Sequence, residues 1–141
     1  MIQRVQSLYL LIGILAIAFV FLFDAAWPGG HTDVPAWMPG ALFASSFLAV
    51  GAAGWAIMLY RDRNRQQRIV LIAQVLTIVM IAVFMFGLYD SGQLTPVLGG
   101  PDAPWKLVAL LLPFLAYIFF FLARKAIERD INLVRSMDRL R

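Results

Sequence analysis

The sequence predicts an all-α polytopic membrane protein: four transmembrane helices followed by a C-terminal cytoplasmic amphipathic helix. Three observations carry this prediction. Hydrophobic residues make up 62% of the 141 residues and charged residues only 14%, against about 25% in an average soluble domain. The chain contains four apolar stretches of transmembrane length, and nearly all of its basic residues fall on one side of them. This composition excludes a soluble enzyme, a nucleic-acid-binding domain and a disordered tail.

The four spans follow from length and hydropathy. A bilayer core about 30 Å thick requires roughly 20 apolar residues in a helix. Four stretches qualify, at residues 5–23, 40–60, 69–89 and 105–123. The segments that connect the first stretch to the second and the third to the fourth are rich in proline and glycine. The segment between the second and third stretches, residues 61–68, is a short polar run. We therefore expect a single membrane domain over residues 1–141, with a tail at 124–141.

The first stretch has an alternative interpretation as a cleaved signal peptide, because Arg4 precedes an apolar run. About 19 apolar residues is long for the core of such a peptide. Asp24 also stands at the −3 position relative to Ala26, where a small residue would be needed. A retained transmembrane helix is the favoured interpretation.

Basic residues predict the orientation. Arg4, four arginines in 61–68 and six basic residues after Ala123 fall on one side, and only Lys106 falls on the other. Because basic residues are retained in the cytoplasm, this asymmetry places both termini there. The net charge of +4 is thus a topology signal, and no nucleic-acid partner is expected.

The second span is rich in small residues, which let helix backbones approach closely in lipid. Ser45, Ala49 and Ala53 recur every four positions and therefore share one helix face. We predict that this face packs against another helix. The partner helix belongs either to this chain, which is the favoured interpretation, or to a second protomer.

Residues that could carry chemistry are scarce. The chain has no cysteine and one histidine, His31, and no span contains a deeply buried ionisable residue of the kind that marks transport or proton relay. No catalytic set, metal site or cofactor is therefore predicted. Gln74 is a deep polar group of the third span; an interhelical hydrogen bond is favoured over a ligand contact. Pro113 predicts a kink in the fourth span.

The tail reads as an amphipathic helix, with apolar residues over about half of the helical wheel and charged residues over the rest. Asp130 is the main polar residue on the apolar half. Arg124 and Glu128 have the spacing of a helical ion pair. We expect the tail to lie along the membrane surface or against a partner, and truncation after Lys125 to leave the four spans inserted.

The ends of the chain carry a resemblance. The stretches MIQRVQSLYLL at residues 1–11 and AIERDINLVRSMDRLR at 126–141 resemble a family of small four-helix membrane proteins of the Bacteroidota lineage, catalogued as domain of unknown function 4293. The spans between match that family in number and hydropathy. The resemblance implies an inner-membrane protein with four spans and implies no activity.

Two functions remain open. The favoured one is a non-catalytic accessory or scaffolding subunit whose basic cytoplasmic face docks a partner or anionic lipid. The alternative is a subunit of an oligomeric transporter or channel, with its pathway formed by the small-residue face and Gln74. Partners would be membrane lipids, a larger membrane complex or a homo-oligomer. The predicted contacts on the basic face are Arg61, Arg63, Arg65, Arg68, Arg124, Lys125, Arg129, Arg135 and Arg139.

Overall fold

The computed structural model describes residues 2–21, 35–92 and 103–138, and these residues form an all-α four-helix fold. The helices are α1 (Ile2–Val20), α2 (Trp37–Met58), α3 (Arg63–Asp90) and α4 (Ala103–Asp138). The predicted all-α class is therefore confirmed. Three parts of the chain lie outside the described residues: the loop that contains His31, part of the third connection, and the end of the chain with Arg139.

Each helix packs against the next one along the chain, and α4 closes the bundle by packing against α1. The connection between α2 and α3 spans only residues 59–62, so these two helices form an antiparallel hairpin. The order of neighbours around the bundle is thus the order along the chain, as in an up-and-down bundle.

Three of the helices are long and apolar enough to cross a membrane: α2, α3 and the Leu107–Val134 part of α4. The described apolar part of α1, Val5–Val20, is shorter. Large hydrophobic side chains are exposed on all four helices, among them Phe19, Phe47, Phe86 and Ile118. Soluble monomers rarely expose so much contiguous apolar surface, so the outside of this bundle suits lipid.

The small-residue face of α2 is buried within this chain. Ser45, Ala49 and Ala53 lie on the side of α2 that is covered by the bundle. Ser45 keeps its hydroxyl satisfied without a partner helix, since Oγ donates to the carbonyl oxygens of Ala41 and Leu42 at 2.8 and 3.1 Å. The face is therefore occupied by helices of the same protein, with no second protomer required.

Glycine allows two close approaches between helices. A Cβ atom on Gly13 of α1 would overlap the fully buried ring of Phe120 on α4. A Cβ atom on Gly87 of α3 would overlap the side chain of Met38 on α2. The absence of a side chain at these two glycines lets α1 approach α4 closely and α3 approach α2 closely.

The predicted fourth span and tail are one helix. α4 has 36 residues, which is about 54 Å at 1.5 Å per residue, and it continues through Pro113. Ile127 is fully buried and Asp130 is 8% exposed. We expected the tail on the membrane surface or against a partner, but its first two turns pack on this chain's own helices. The sequence pattern showed an apolar face without showing what covers it.

Candidate functional site at the basic end of the bundle

The predicted contact residues that the structure describes gather at one end of the bundle, where α2 ends, α3 begins and α4 runs past the apolar region. We call this the basic end. It carries Arg61, Arg63, Arg65, Arg68, Arg124, Lys125 and Arg129. Arg135 lies in α4 with a side chain outside the described set, and Arg139 lies outside the described residues.

An ion pair joins α3 to α4 at this end. Nη1 of Arg63 lies 3.0 Å from Oδ2 of Asp130. The contact is short enough for an ion pair, but its angles are not those of a hydrogen bond, and Oδ2 has no hydrogen-bond partner among the described residues. The Arg63 side chain is 31% exposed and the Asp130 side chain 11% exposed. Asp130 is the main polar residue on the apolar half of the tail. It can be buried because Arg63 offsets its charge.

A second polar link joins the same two helices closer to the apolar region. Nη1 of Arg124 donates to Oε1 of Gln74 at 3.3 Å, and Gln74 is 2% exposed. Gln74 therefore makes the interhelical hydrogen bond that the sequence favoured for it. The spacing of Arg124 and Glu128 suggested a helical ion pair, but Arg124 turns toward α3 instead and Glu128 is exposed.

Arg65 is engaged locally at the start of α3. Asp62 caps this helix, since its Oδ1 accepts from the backbone N–H of Arg65 at 3.2 Å. Nε of Arg65 lies 3.0 Å from Oδ2 of the same carboxylate. Both side chains are well exposed, so the pair organises the helix start and adds little to stability.

The remaining cations of the basic end are exposed and have no acidic partner among the described residues. Arg61, Arg68 and Arg129 make no ion pair or hydrogen bond with any residue that the structure describes. The Nζ atom of Lys125 lies 5.1 Å from the ring centroid of Phe121, which is a cation–π distance. These four cations are thus available to an anionic ligand.

Buried amides at this end were only partly foreseen. Besides Gln74, the side chains of Gln6 on α1 and Gln66 on α3 are 3% and 2% exposed. The Nε2 atom of Gln6 has no hydrogen-bond partner among the described residues. Gln6 precedes Leu10 by one turn and so continues the buried stripe of α1, which is the sequence signal that could have identified it.

Contacts between α1 and α4 give the level of Gln6 along the bundle. Gly13 meets Phe120, and these helices are antiparallel. Gln6 is seven residues before Gly13 in α1, and Ile127 is seven residues after Phe120 in α4. Because the helices are antiparallel, Gln6 and Ile127 lie at about the same level. Gln6 lies in the same layer as the turns of α4 that carry Arg124 and Asp130. The basic end thus encloses a polar layer between α1, α3 and α4.

Three grooves open at the basic end. The α1–α4 groove has a volume of about 360 Å³ and is lined by Val5, Tyr9, Leu122, Lys125, Ala126, Arg129, Asp130 and Leu133. A more open groove of about 630 Å³ lies between residues 61–64 and the tail at Ile131 and Val134. The third, about 320 Å³, is lined by Trp55, Leu59, Arg65, Arg68 and Ile69.

Charged and apolar side chains line these grooves together. Within residues 2–21, 35–92 and 103–138, no three His, Asp or Glu side chains come together as metal ligands. The exposed groups are guanidinium and ammonium cations beside apolar walls. Such a surface can attract phosphate or carboxylate groups.

Comparison with known proteins defines the family. The family described as Domain of unknown function (DUF4293) matches residues 29–140, about four fifths of the chain. The match includes α2, α3, α4 and the basic end. Residues 1–11, which also suggested this resemblance, lie outside the matched range. No curated protein and no solved structure matches the chain. The chain belongs to the domain of unknown function 4293 family.

Proposed function

We propose that this protein is a non-catalytic integral protein of the bacterial inner membrane, an accessory or scaffolding subunit whose basic end faces the cytoplasm. In this proposal the chain crosses the membrane four times, so both termini lie on that side. The basic end docks an acidic partner protein or anionic lipid. The enrichment of basic residues at one end of an apolar bundle supports this orientation.

The docking role is supported by a difference among the cations of the basic end: some are paired within the bundle and others are exposed without a described partner. Arg63 and Arg124 are used inside the bundle, whereas Arg61, Arg68 and Arg129 are exposed and unpaired within the described residues. A surface of unpaired cations attracts anions across a Debye length of about 10 Å.

A subunit of an oligomeric transporter or channel is the less favoured alternative. It would use the small-residue face of α2 at an interface between protomers and Gln74 along the pathway. In the structure that face is covered by this chain, and Gln74 is buried and hydrogen-bonded to Arg124. Both features thus act in packing of the single chain.

Topology is the first test. A reporter fused after Arg141 or inserted near Asn64 should be active in the cytoplasm, and one inserted near Gly30 or Gly99 in the periplasm. A periplasmic C-terminus would mean an odd number of spans and would overturn the orientation.

Docking is tested by photo-crosslinking in native membranes. A photoreactive residue replacing Arg61 should capture an acidic protein or anionic lipid, while the same residue replacing Ser91, at the other end of α3, should not. Equal capture from both positions would contradict docking through the basic end. Purification in mild detergent separates the two functions, since a homo-oligomer with a polar cleft would favour the transporter subunit.

A further inference from the structure

We propose that the α1–α4 groove is a binding site for an anionic phospholipid, with the headgroup phosphate held by Lys125 and Arg129 and the first part of an acyl chain against Tyr9 and Leu122. This inference rests on the proposed function, because it requires the basic end at the cytoplasmic face of a membrane. It assigns one lipid class and one groove to a surface that otherwise attracts anions in general.

Two cations of α4 line the same groove. Lys125 and Arg129 are four residues apart in α4, so their side chains share one helix face. Both side chains are exposed and both line the groove. Arg129 makes no ion pair within the described part of the chain. A phosphate diester placed between them can accept hydrogen bonds from the ammonium and the guanidinium together.

Lys125 lies where the apolar surface of the bundle meets its basic end. Its Nζ atom lies 5.1 Å from the ring of Phe121, which is one turn closer to the apolar region. A lysine at the end of a span usually extends toward water. Here the ammonium instead lies beside an exposed aromatic ring, and a headgroup phosphate bound to it would have apolar surface directly next to it.

The acidic residue of the groove does not cancel these charges. Asp130 also lines the groove, but Arg63 lies 3.0 Å from its carboxylate on the other side. The ion pair is neutral as a unit, so Lys125 and Arg129 leave a net charge of +2 at the groove. This charge favours an anionic headgroup over a zwitterionic one, since a zwitterion brings no net charge to offset it.

The other lining residues of the groove are mainly apolar: Val5 and Tyr9 of α1 and Leu122 of α4. The ring of Tyr9 packs on the ring of Phe119, with centroids 6.2 Å apart. A soluble phosphate compound would use only the cations. A phospholipid would use the cations and the apolar residues at once, because Tyr9 and Leu122 lie on the apolar side of Lys125.

The other two grooves of the basic end are poorer sites for the same ligand. In the groove beside Trp55, Arg65 is already paired with Asp62, which leaves Arg68 as the available cation. In the groove beside the tail, Arg63 is paired with Asp130, which leaves Arg61. The α1–α4 groove is also more enclosed than either of them.

The test uses the full-length protein, delipidated in a neutral detergent, and native mass spectrometry to count bound lipids. The probes are phosphatidylglycerol and phosphatidylcholine with identical acyl chains. The test variant is Lys125→Gln/Arg129→Gln, and the control Arg61→Gln/Arg68→Gln removes the same charge outside the groove. We expect the parent and the control to retain one phosphatidylglycerol, and the test variant to bind it roughly ten-fold more weakly or worse.

A second variant tests the shape of the groove. Ala126→Phe fills the groove and keeps every cation. Phosphatidylglycerol retention should fall in this variant, while its thermal midpoint in phosphatidylcholine micelles stays near that of the parent. Unchanged retention would show that the headgroup is bound elsewhere and would overturn the site.

The outcomes separate the site from the proposed function. Equal losses in the two double variants would overturn the groove and leave general docking by the basic end intact. No preference for phosphatidylglycerol over phosphatidylcholine, or full displacement by soluble glycerol phosphate, would overturn the phospholipid as ligand. A crosslink from position 126 to an acidic protein with no lipid retained would assign the groove to a protein partner. Failure of the proposed function itself appears in the topology measurement.

Discussion

Arg63 in the first turn of α3 lies against Asp130 of α4, with Nη1 and Oδ2 3.0 Å apart. The two residues are 67 positions apart in the sequence, and their contact ties the tail to the hairpin between α2 and α3. The more buried member is the carboxylate, because the Asp130 side chain is 11% exposed and that of Arg63 31%. Removal of Arg63 and removal of Asp130 should therefore lower the stability of the bundle by different amounts.

Removal of the cation should be the more damaging change. Arg63→Gln leaves a charged, nearly buried carboxylate unpaired and should lower the free energy of unfolding by about 1 to 3 kcal/mol. Asp130→Asn removes that charge and leaves Arg63 able to reach water, so it should cost less. Chemical denaturation in detergent measures the free energy of unfolding of both variants. The double variant Arg63→Gln/Asp130→Asn should be more stable than Arg63→Gln alone, because it leaves no unpaired carboxylate, and it completes the double-mutant cycle. Equal costs would contradict this burial argument.

The small-residue face of α2 should not tolerate bulk. Ala49 and Ala53 have no exposed surface, so Ala49→Leu or Ala53→Leu should overpack the bundle and lower its stability by about 1 to 3 kcal/mol. Ala44 lies on the same helix but is exposed, and Ala44→Leu should be nearly neutral. Thermal unfolding of the three variants in one detergent is the comparison. If the buried variants matched Ala44→Leu, the face would be turned outward.

Three identical glycine substitutions should differ in their effects. Gly13→Ala would place a methyl group against the buried ring of Phe120 and should destabilise by about 1 to 3 kcal/mol. Gly87→Ala meets the flexible Met38 side chain, which can move, so its cost should be smaller. Gly51 has open space around it, and Gly51→Ala should stabilise α2 by up to about 1 kcal/mol. A different order in thermal unfolding would argue against this packing.

Two buried glutamines should respond in opposite ways to leucine. Gln6 has an unpaired Nε2 atom, so Gln6→Leu should raise the free energy of unfolding by about 1 kcal/mol. Gln74→Leu removes the acceptor of Arg124 and should lower it by about 0.6 kcal/mol. Urea titrations in the same micelle decide the signs. A loss of stability in Gln6→Leu would indicate that its amide has a partner in the membrane.

Truncation of the tail should depend on its position. Removal of residues 126–141 deletes Ile127 and Asp130, which are buried, so the bundle should lose stability although its spans still insert. Removal of residues 135–141 keeps both residues and should leave the midpoint unchanged. Amide exchange of the α1 residues that face α4 reports the difference. Identical exchange in the two truncated proteins would show that the tail does not pack on the bundle.

Hydropathy alone was sufficient to predict the helices. Apolar runs of about 20 residues separated by polar or proline-rich segments require hydrogen-bonded helices in any apolar solvent, and the described part of the chain forms four helices. The boundaries followed less well, because hydropathy measures the apolar run and not the helix. α3 begins at Arg63, six residues before the predicted span at 69, since Asp62 caps it within a polar segment.

For the candidate site, too, one part could be predicted from the sequence and another part could not. The sequence by itself determined that the cations collect on one side of the spans, because this is a matter of order along the chain. Only the tertiary structure decided which cations are free. Arg63 meets Asp130 and Arg124 meets Gln74 across 50 residues, and such pairs depend on which helices are neighbours and at what level. Helical periodicity fixes the face on which a residue lies, but the packing of the bundle determines what that face meets.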